Sequence, residues 1–488
     1  MNKLCQMKKY ILILLISLMF FVNIFAKKLQ PNIIVFIADD VSWDDFGCYG
    51  NKQVHTPNID KLSENGIRFT NAYLTASSSS PSRNSIMTGR YPHNTGAAEL
   101  HTEPPLDMIS FPEIMRNNGY YSVLSGKFHM GEYAKRGFDK MNYNYAEIGD
   151  GGEKLWLKNL QESPKEKPFF MWFAAIDAHR PWGVNEFSGT HNPTQIQTPF
   201  YLANGEPTKI DLAKYYDEIT RFDFYIGEIV KELKAQDKFE NTMIIIMADN
   251  GRPFPHSKTR VNDRGMKTPF IIHYPALIKE NTGVCSALVS AIDIAPTLIK
   301  LSGSKPLKTV QGFSFDKLLT NKNQEFRNYI FAEHNWHDFE AHERMVRSRN
   351  FMFIFNSRPL LTLEGGRDIV SSPSSIELIE LKNGNKINKE QAEIFLTPRP
   401  VEELYNSEND SLQIVNLSLD ANNQKELLKL RKVMKNWMKR TDDNIPEKIT
   451  KDWYQKVQAG KNNDNYKIRG EMPGATLNAT KNNNKGYF

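Results

Sequence analysis

Four short apolar runs, each ending in ionisable side chains, constrain this chain more than any other feature of its sequence. The run from Asn32 to Ala38 (NIIVFIA) leads into Asp39-Asp40, and that from Thr242 to Ala248 (TMIIIMA) into Asp249-Asn250-Gly251. Tyr120 to Ser125 leads to Gly126-Lys127-Phe128-His129, and Pro168 to Ala175 leads to Asp177 and His179. Runs this apolar read as strands buried on both faces, the habit of parallel sheets covered by helices. In an open α/β sheet the ligand site lies beyond the carboxyl ends of the strands. The pattern therefore predicts an α/β domain that gathers these ionisable groups along one edge of its sheet.

The chain has room for such a domain. Its 488 residues, 40% hydrophobic and 24% charged, suit one large domain and a smaller one. No internal repeat is visible. Lys209 to Lys234 has apolar residues on one helical stripe and predicts a helix covering the sheet. Beyond about residue 340 the character changes: MVRSRNFMFIFN (345–356) reads as strand, RPVEELYN (399–406) ends a segment, and a charged helix follows around 423–439. We expect a catalytic unit over 27–340 and a C-terminal subdomain of antiparallel strands, helix and tail over 341–488. From Gly460 onward the Asn-, Lys- and Gly-rich sequence predicts a wrapping or loosely ordered tail.

The first 26 residues read differently. Lys3, Lys8 and Lys9 precede the apolar run Ile11 to Phe25, which ends at Ala26. That run is short for a membrane span and suits a secretory signal peptide, so the expected location is periplasmic or secreted, with no transmembrane span in the mature chain. Loss of the leader lowers the formal charge from +6 to +3, too weak an excess to suggest nucleic-acid binding. Cys48 and Cys285 remain, enough for at most one disulfide.

Asp39, Asp40, Asp249 and Asn250 offer carboxylate and amide oxygens without clustered Cys or His. That donor set favours Ca²⁺ or Mg²⁺ over zinc. Either acidic pair alone could equally cap the helix after its strand; both pairs beside a basic set shift the balance towards a metal. The basic set is Arg83, Lys127, His129, His179 and Lys258. Ion pairing with the carboxylates is the plain reading of it. Fixed cations next to a metal also make a receptor for a small oxyanion, with the histidines placed for acid or base work.

A last stretch ties these groups together. SSSSPSRNSIMTGR (77–90) reads as a helix start, with Pro81 near the first turn. It resembles the sulfatase signature, in which Cys or Ser, any residue, Pro, Ser and Arg lead to a Thr-Gly-Arg ending. Only Ser79 stands in register with Pro81, Ser82 and Arg83. NIIVFIADD, GKFHMG, AHRP, ADNG and RPVEELYN continue the resemblance in order along nearly the whole exported chain. The fold it implies is an alkaline-phosphatase-like α/β sandwich, with a large mixed, mostly parallel sheet and a smaller C-terminal α+β subdomain.

The resemblance also implies a chemistry. Ser79 would be oxidised to formylglycine by an anaerobic-type maturase, since the position is Ser and not Cys, and the hydrated aldehyde would be the nucleophile. Asp39, Asp40, Asp249 and Asn250, with modified Ser79, would hold one Ca²⁺. Arg83 would hold the hydrate and Lys127 would contact both it and the sulfate. His129 would help regenerate the aldehyde. His179 and Lys258 would bind the sulfate and stabilise or protonate the leaving oxygen, and Asp249 would assist deprotonation of the nucleophile. The family's usual Gly-Lys-Gly-Thr before Tyr-Glu-Gly-Gly is replaced here by HSKTRVNDRGMKTP (256–269), in which an ungapped match puts Lys258 on the lysine.

DNGRPFPHSKT and AEHNWHDFEAHERMVRSRNF are similar to the N-sulfoglucosamine sulfohydrolase-like branch, which includes bacterial enzymes acting on other sulfated polysaccharides. His101, Arg260 and His337 are the expected sugar-binding residues; Trp336 and His342 are further candidates, and His93 is read as structural. Trp can stack on a sugar ring, and His or Arg can bind its hydroxyl, carboxylate or second sulfate. Sequence thus predicts an exported sulfatase acting on sulfate esters or N-sulfates of a polysaccharide. The alternatives are a phosphoesterase of the same superfamily, disfavoured by the Ser-x-Pro-Ser-Arg register, and a glycan-binding relative whose Ser79 is never oxidised.

Overall fold

The structure, a computed structural model, describes residues 30–279, 281–362, 365–452 and 469–488. The expected leader over 1–26 and the first part of the expected tail lie outside these. An eight-stranded mixed sheet forms the centre. Its strands lie in the order Lys140–Asn142, Tyr121–Gly126, Phe169–Ala174, Asn32–Ala38, Thr242–Ala248, Phe270–His273, Ile67–Phe69 and Gly283–Cys285. The first five are parallel; Phe270–His273 runs against both of its neighbours.

Side-chain alternation explains why these runs are apolar on both faces over most of their length. Ile33, Val35, Ile37, Phe170, Trp172, Met243 and Ile245 pack on one face with the helix Ile294–Leu301. Ile34, Phe36, Phe169, Met171, Ile244 and Ile246 pack on the other. That second face is covered by the helix Glu206–Ala235, whose Leu212, Tyr215, Ile219, Phe222, Ile226, Ile229 and Leu233 recur at helical spacing. Both faces are dry, so polar residues collect at the strand ends.

The smaller sheet is antiparallel, with strands Ile330–His334, Glu343–Arg347, Phe351–Asn356 and Glu402–Asn406 in that order. It begins ahead of the boundary expected at residue 341. The stretch 345–356, read from sequence as strand, is a hairpin here. The helix Gln424–Thr441 lays Leu427, Leu430, Met434 and Trp437 on this sheet, with the Trp437 ring stacked on Phe331 at 4.8 Å. The described part of the tail returns to the large domain: Arg90 donates to Thr480 O at 3.1 Å, Asn482 O at 2.8 Å and Asn483 Oδ1 at 2.6 Å. Among the described residues no helix is long and apolar enough to cross a membrane. Cys48 and Cys285 are both free thiols.

Candidate active site

Strand register assembles the acidic half of the site. Asn32–Ala38 pairs with Thr242–Ala248 residue for residue, Ala38 opposite Ala248, so the two acidic pairs leave the sheet side by side. Asp249 N–H donates to Ala38 O at 3.1 Å, and Asp40 N–H to Asp249 Oδ1 at 3.2 Å. Asn250 Nδ2 donates to Asp40 Oδ1. Oxygens of Asp39, Asp40 and Asp249 come within 4.8 Å of one another, and all three residues are fully buried. Three carboxylates this close repel strongly unless cations neutralise them.

The helix Ser79–Thr88 delivers the first cation and the serine. Ser78 is its N-cap residue, and Gly89, at φ 65°, stops it with an N–H bond to Ser85 O. The left-handed turn at Gly89 suits a residue without Cβ, which accounts for the Thr-Gly-Arg ending, with Arg90 spent on the tail. All ten helix residues are buried, and its first turn points at the strand ends. Ser79 Oγ lies 3.1 Å from Asn250 Oδ1 and 3.3 Å from Asp39 Oδ1. One turn on, Arg83 Nε donates to Asp249 Oδ2 at 2.8 Å, and Nη2 stands 3.6 Å from Asp39 Oδ1.

Gly126 turns the next strand into the site. Its φ is 108°, and a Cβ there would fall 1.8 Å from Ala174 O, so no side chain fits. Lys127 follows, donating through Nζ to Asp39 Oδ2 and, at 3.3 Å, to Ser79 Oγ. Lys258 Nζ donates to Asp40 Oδ2 at 2.7 Å. Burial alone would lower its pKa, but Asp368 and Asp40 outweigh that and hold it above the usual lysine range. Arg83, Lys127 and Lys258 thus match the three carboxylates charge for charge.

The mouth is lined by histidines. His179 Nε2 lies 3.8 Å from Asp40 Oδ2, and its Nδ1 meets Arg180 O at 2.5 Å. His129 Nε2 and His101 Nδ1 are 2.8 Å apart. Burial, reinforced by Lys127 and His101, pushes His129 well below its ordinary pKa, and burial with Arg469, Lys127 and Lys258 lowers His101 to about 4. Both rings are neutral near pH 7, and His129 Nδ1 makes no hydrogen bond.

Other expectations for the sugar rim meet a different placement. His337 is buried, with Nδ1 2.7 Å from Ser78 Oγ, so it braces the residue before Ser79. Arg260 is buried and its Nη2 donates to Glu393. Trp336 and His342 are buried too, bonded to Lys451 O at 3.0 Å and Asn444 O at 3.2 Å. Their residue types suit either a sugar contact or a structural place, and the fold puts all four in the interior. His93 is structural as read, 2.8 Å from Glu333 Oε1.

One residue was missed altogether. Asp368 reaches the site from the C-terminal part of the chain, accepting from Lys258 Nζ at 2.8 Å with His179 Nε2 at 4.0 Å. Burial would raise its pKa, but Lys258, His179 and His337 hold it below the carboxylate range. No apolar run precedes it, so the strand-end signal that marks the other groups is lacking.

This arrangement has relatives. The sulfatase family model matches residues 31–304, and that of N-sulphoglucosamine sulphohydrolase, C-terminal, residues 256–354. An ulvan-active sulfatase of Formosa agariphila is 30% identical over 434 residues, covering 86% of this chain and 82% of its own. N-sulphoglucosamine sulphohydrolase of Homo sapiens is 25% identical over 460 residues, covering 84% and 90%. The structure of BT4656 in complex with its substrate D-glucosamine-2-N,6-O-disulfate superposes with a TM-score of 0.68 at 20% identity, over 84% of this chain and 98% of that one. A phosphonate monoester hydrolase of Agrobacterium radiobacter reaches 0.66 at 16%, over 86% and 98%. These two speak for the fold, the α/β sandwich expected from the resemblance. With the family model spanning more than half of the chain, this protein belongs to the sulfatase family and is a hydrolase of sulfate esters.

Proposed function

We propose that this sulfatase is exported and removes sulfate groups, as esters or N-sulfates, from a sulfated polysaccharide or its oligosaccharides, using a formylglycine made from Ser79 by an anaerobic-type maturase. One observation carries the reading: a single hydroxyl, Ser79 Oγ, stands within 3.3 Å of Asp39, Asn250 and Lys127 at the start of a buried helix. An anion brought there gains from the helix N-terminus as well as from the lysine.

Buried, oxygen-only donors fit a hard divalent cation. Asp39, Asp40, Asp249, Asn250 and the modified residue 79 would hold Ca²⁺, which when bound would draw negative charge from the sulfate oxygens. Arg83, Lys127 and Lys258 offset Asp39, Asp40 and Asp249, and Asp368 adds a fourth carboxylate at Lys258, so the ion would supply the positive charge that draws in the sulfate monoester. A formylglycine would supply a hydrated aldehyde oxygen as the attacking group.

The remaining work falls to this chain's side chains. Arg83, locked on Asp249, orients residue 79 from one turn away, and Asp249 assists removal of the attacking proton. Lys127 bridges the hydrate and the sulfate. His129, kept neutral by its surroundings, accepts the proton whose loss regenerates the aldehyde, and its contact with His101 opens towards solvent. His179 and Lys258 hold the sulfate and the leaving oxygen, which takes a proton as the S–O bond to the sugar breaks. The C-terminal subdomain adds Asp368 to this side of the pocket. His101, at the exposed mouth, is the best placed of the expected sugar contacts; Arg260 and His337 would act from behind the rim.

Mass spectrometry of the peptide carrying residue 79 tests the proposal. From active protein it should weigh two hydrogens less than the serine form, and fully active protein carrying only intact serine would overturn the mechanism. Ser79→Cys should become active in hosts that convert cysteine. The phosphonate hydrolases that share the fold define the competing outcome: faster release of phosphate than of sulfate from matched aryl esters. A screen of heparan, ulvan-type, other algal and mucin oligosaccharides for released sulfate would identify the glycan.

A further inference from the structure

We propose that Glu393 is a positioning residue for Lys258, clamping the turn that carries this lysine from the side away from the site. The proposal rests on the role given above to Lys258. The turn 256–260 is unusual in its backbone: His256 and Thr259 have φ of 71° and 70°. Side chains at such φ values persist only where the surroundings hold them. On the inner side the hold is visible. Thr259 N–H donates to Ser77 Oγ and to Ser77 O, both at 3.1 Å, two residues ahead of Ser79. Lys258 N–H donates to Arg252 O at 3.1 Å.

Glu393 supplies the outer hold. One carboxylate oxygen accepts from Arg260 Nη2, and the other lies 3.2 Å from His256 Nδ1. One side chain thus grips the turn two residues before and two residues after Lys258. Arg260 Nη1 and His256 Nε2 are buried and make no hydrogen bond, so the link through Glu393 carries the contact. Burial would raise the pKa of Glu393, but Arg260 and His256 outweigh it and keep the group ionised. The sequence expectation for Arg260 changes accordingly, from reading sugar to anchoring the turn.

The clamp can be reached from outside. Glu393 lines a cavity of about 410 Å³ with Tyr201, Arg264 and Tyr405, and its side chain is 31% exposed. Glu393→Ala would open a carboxylate-sized gap onto that cavity, so added acetate can take the missing place. A loss of stability alone would not be repaired in this way.

The test uses matured, calcium-loaded enzyme. Glu393→Ala should lower kcat by about 10- to 100-fold, the cost of an ångström-scale misplacement, with residue-79 modification and bound calcium unchanged. Acetate and, in part, Glu393→Asp should restore it. Should the alanine variant fail to fold, Glu393→Gln keeps the shape and should show the smaller loss. Inorganic sulfate, titrated calorimetrically, should bind more weakly to Glu393→Ala than to wild type, yet equally to Lys258→Ala with and without the second change. Wild-type turnover and sulfate affinity in folded Glu393→Ala, absence of acetate rescue, or losses that add to those of Lys258→Ala would each overturn the clamp. A fully active Lys258→Ala would instead sink the role of Lys258 itself, which separates the two failures.

Discussion

Asp368 puts a negative charge where the proposed substrate brings another, and Asp368→Asn measures the consequence. Lys258 Nζ is 2.8 Å from Asp368 Oδ2. A sulfate oxygen taking another tetrahedral direction on the same ammonium would stand about 4.6 Å from that carboxylate, where at an effective dielectric of ~20 the repulsion is about 3–4 kcal/mol per unit charge. The side chain is 18% exposed, so solvent and salt screen this severalfold. A residue of about 1.4 kcal/mol is a tenfold effect. Asp368→Asn keeps the shape, frees Lys258 from one partner and removes the repulsion. Inorganic sulfate should therefore bind the calcium-loaded variant about tenfold more tightly, the gap widening as salt is lowered. Product inhibition should strengthen in step, because the repulsion that would help expel sulfate is gone. Calorimetry and inhibition kinetics give the two numbers independently. Unchanged or weaker sulfate binding would refute the reasoning, and place Asp368 as a support of Lys258 and not as a competitor of the anion.

Other expectations follow from the same geometry. Asp249→Asn keeps an acceptor for Arg83 but loses charge from the oxygen cluster, so bound calcium and turnover should both disappear while the fold survives. Wild type should melt higher in calcium than in chelator, by roughly 2.7 kcal/mol of stabilisation at a hundredfold excess over Kd, and the variant should not; stoichiometric zinc with dispensable calcium would contradict this. His337→Ala removes the 2.7 Å brace on Ser78 and should depress turnover on a small aryl sulfate as much as on the glycan, whereas a loss confined to the glycan would restore His337 to sugar reading. His273 is lowered from 6.5 to about 4 by burial and by Lys234. It stays neutral in the folded chain while the unfolded chain takes up a proton, so its contribution is present above pH 6.5 and lost as the pH falls towards 4, up to roughly 3 kcal/mol. His273→Gln should flatten the acid limb of the melting-temperature profile; an unchanged limb would assign acid sensitivity elsewhere.

Four of the eight strands of the large sheet, and most of the ionisable groups clustered at its edge, were legible because both rest on local pattern. Strands buried on two faces are mostly apolar, and Asp39, Asp40, Lys127, His129, His179, Asp249 and Asn250 all lie within five residues of the end of such a strand. Ser79 and Arg83 were legible for a different reason, the register of a short signature on one helix turn. The helix Glu206–Ala235 announced itself by its apolar stripe.

What the sequence determined by itself was therefore four strands of the large sheet, their polar ends and the serine among four that stands in register. Only the tertiary structure decided which face each remaining polar group meets. Asp368 and Lys258 are 110 positions apart, Glu393 and Arg260 are 133, and no periodicity links them. His337 and Arg260 looked like rim residues because their chemistry suits sugars, yet both are buried, where His337 meets Ser78 and Arg260 meets Glu393. Local pattern reports how a segment sits in its own strand or helix. Pairing of charges across the chain depends on which segments the folded core brings together, and that is settled by the packing of the whole.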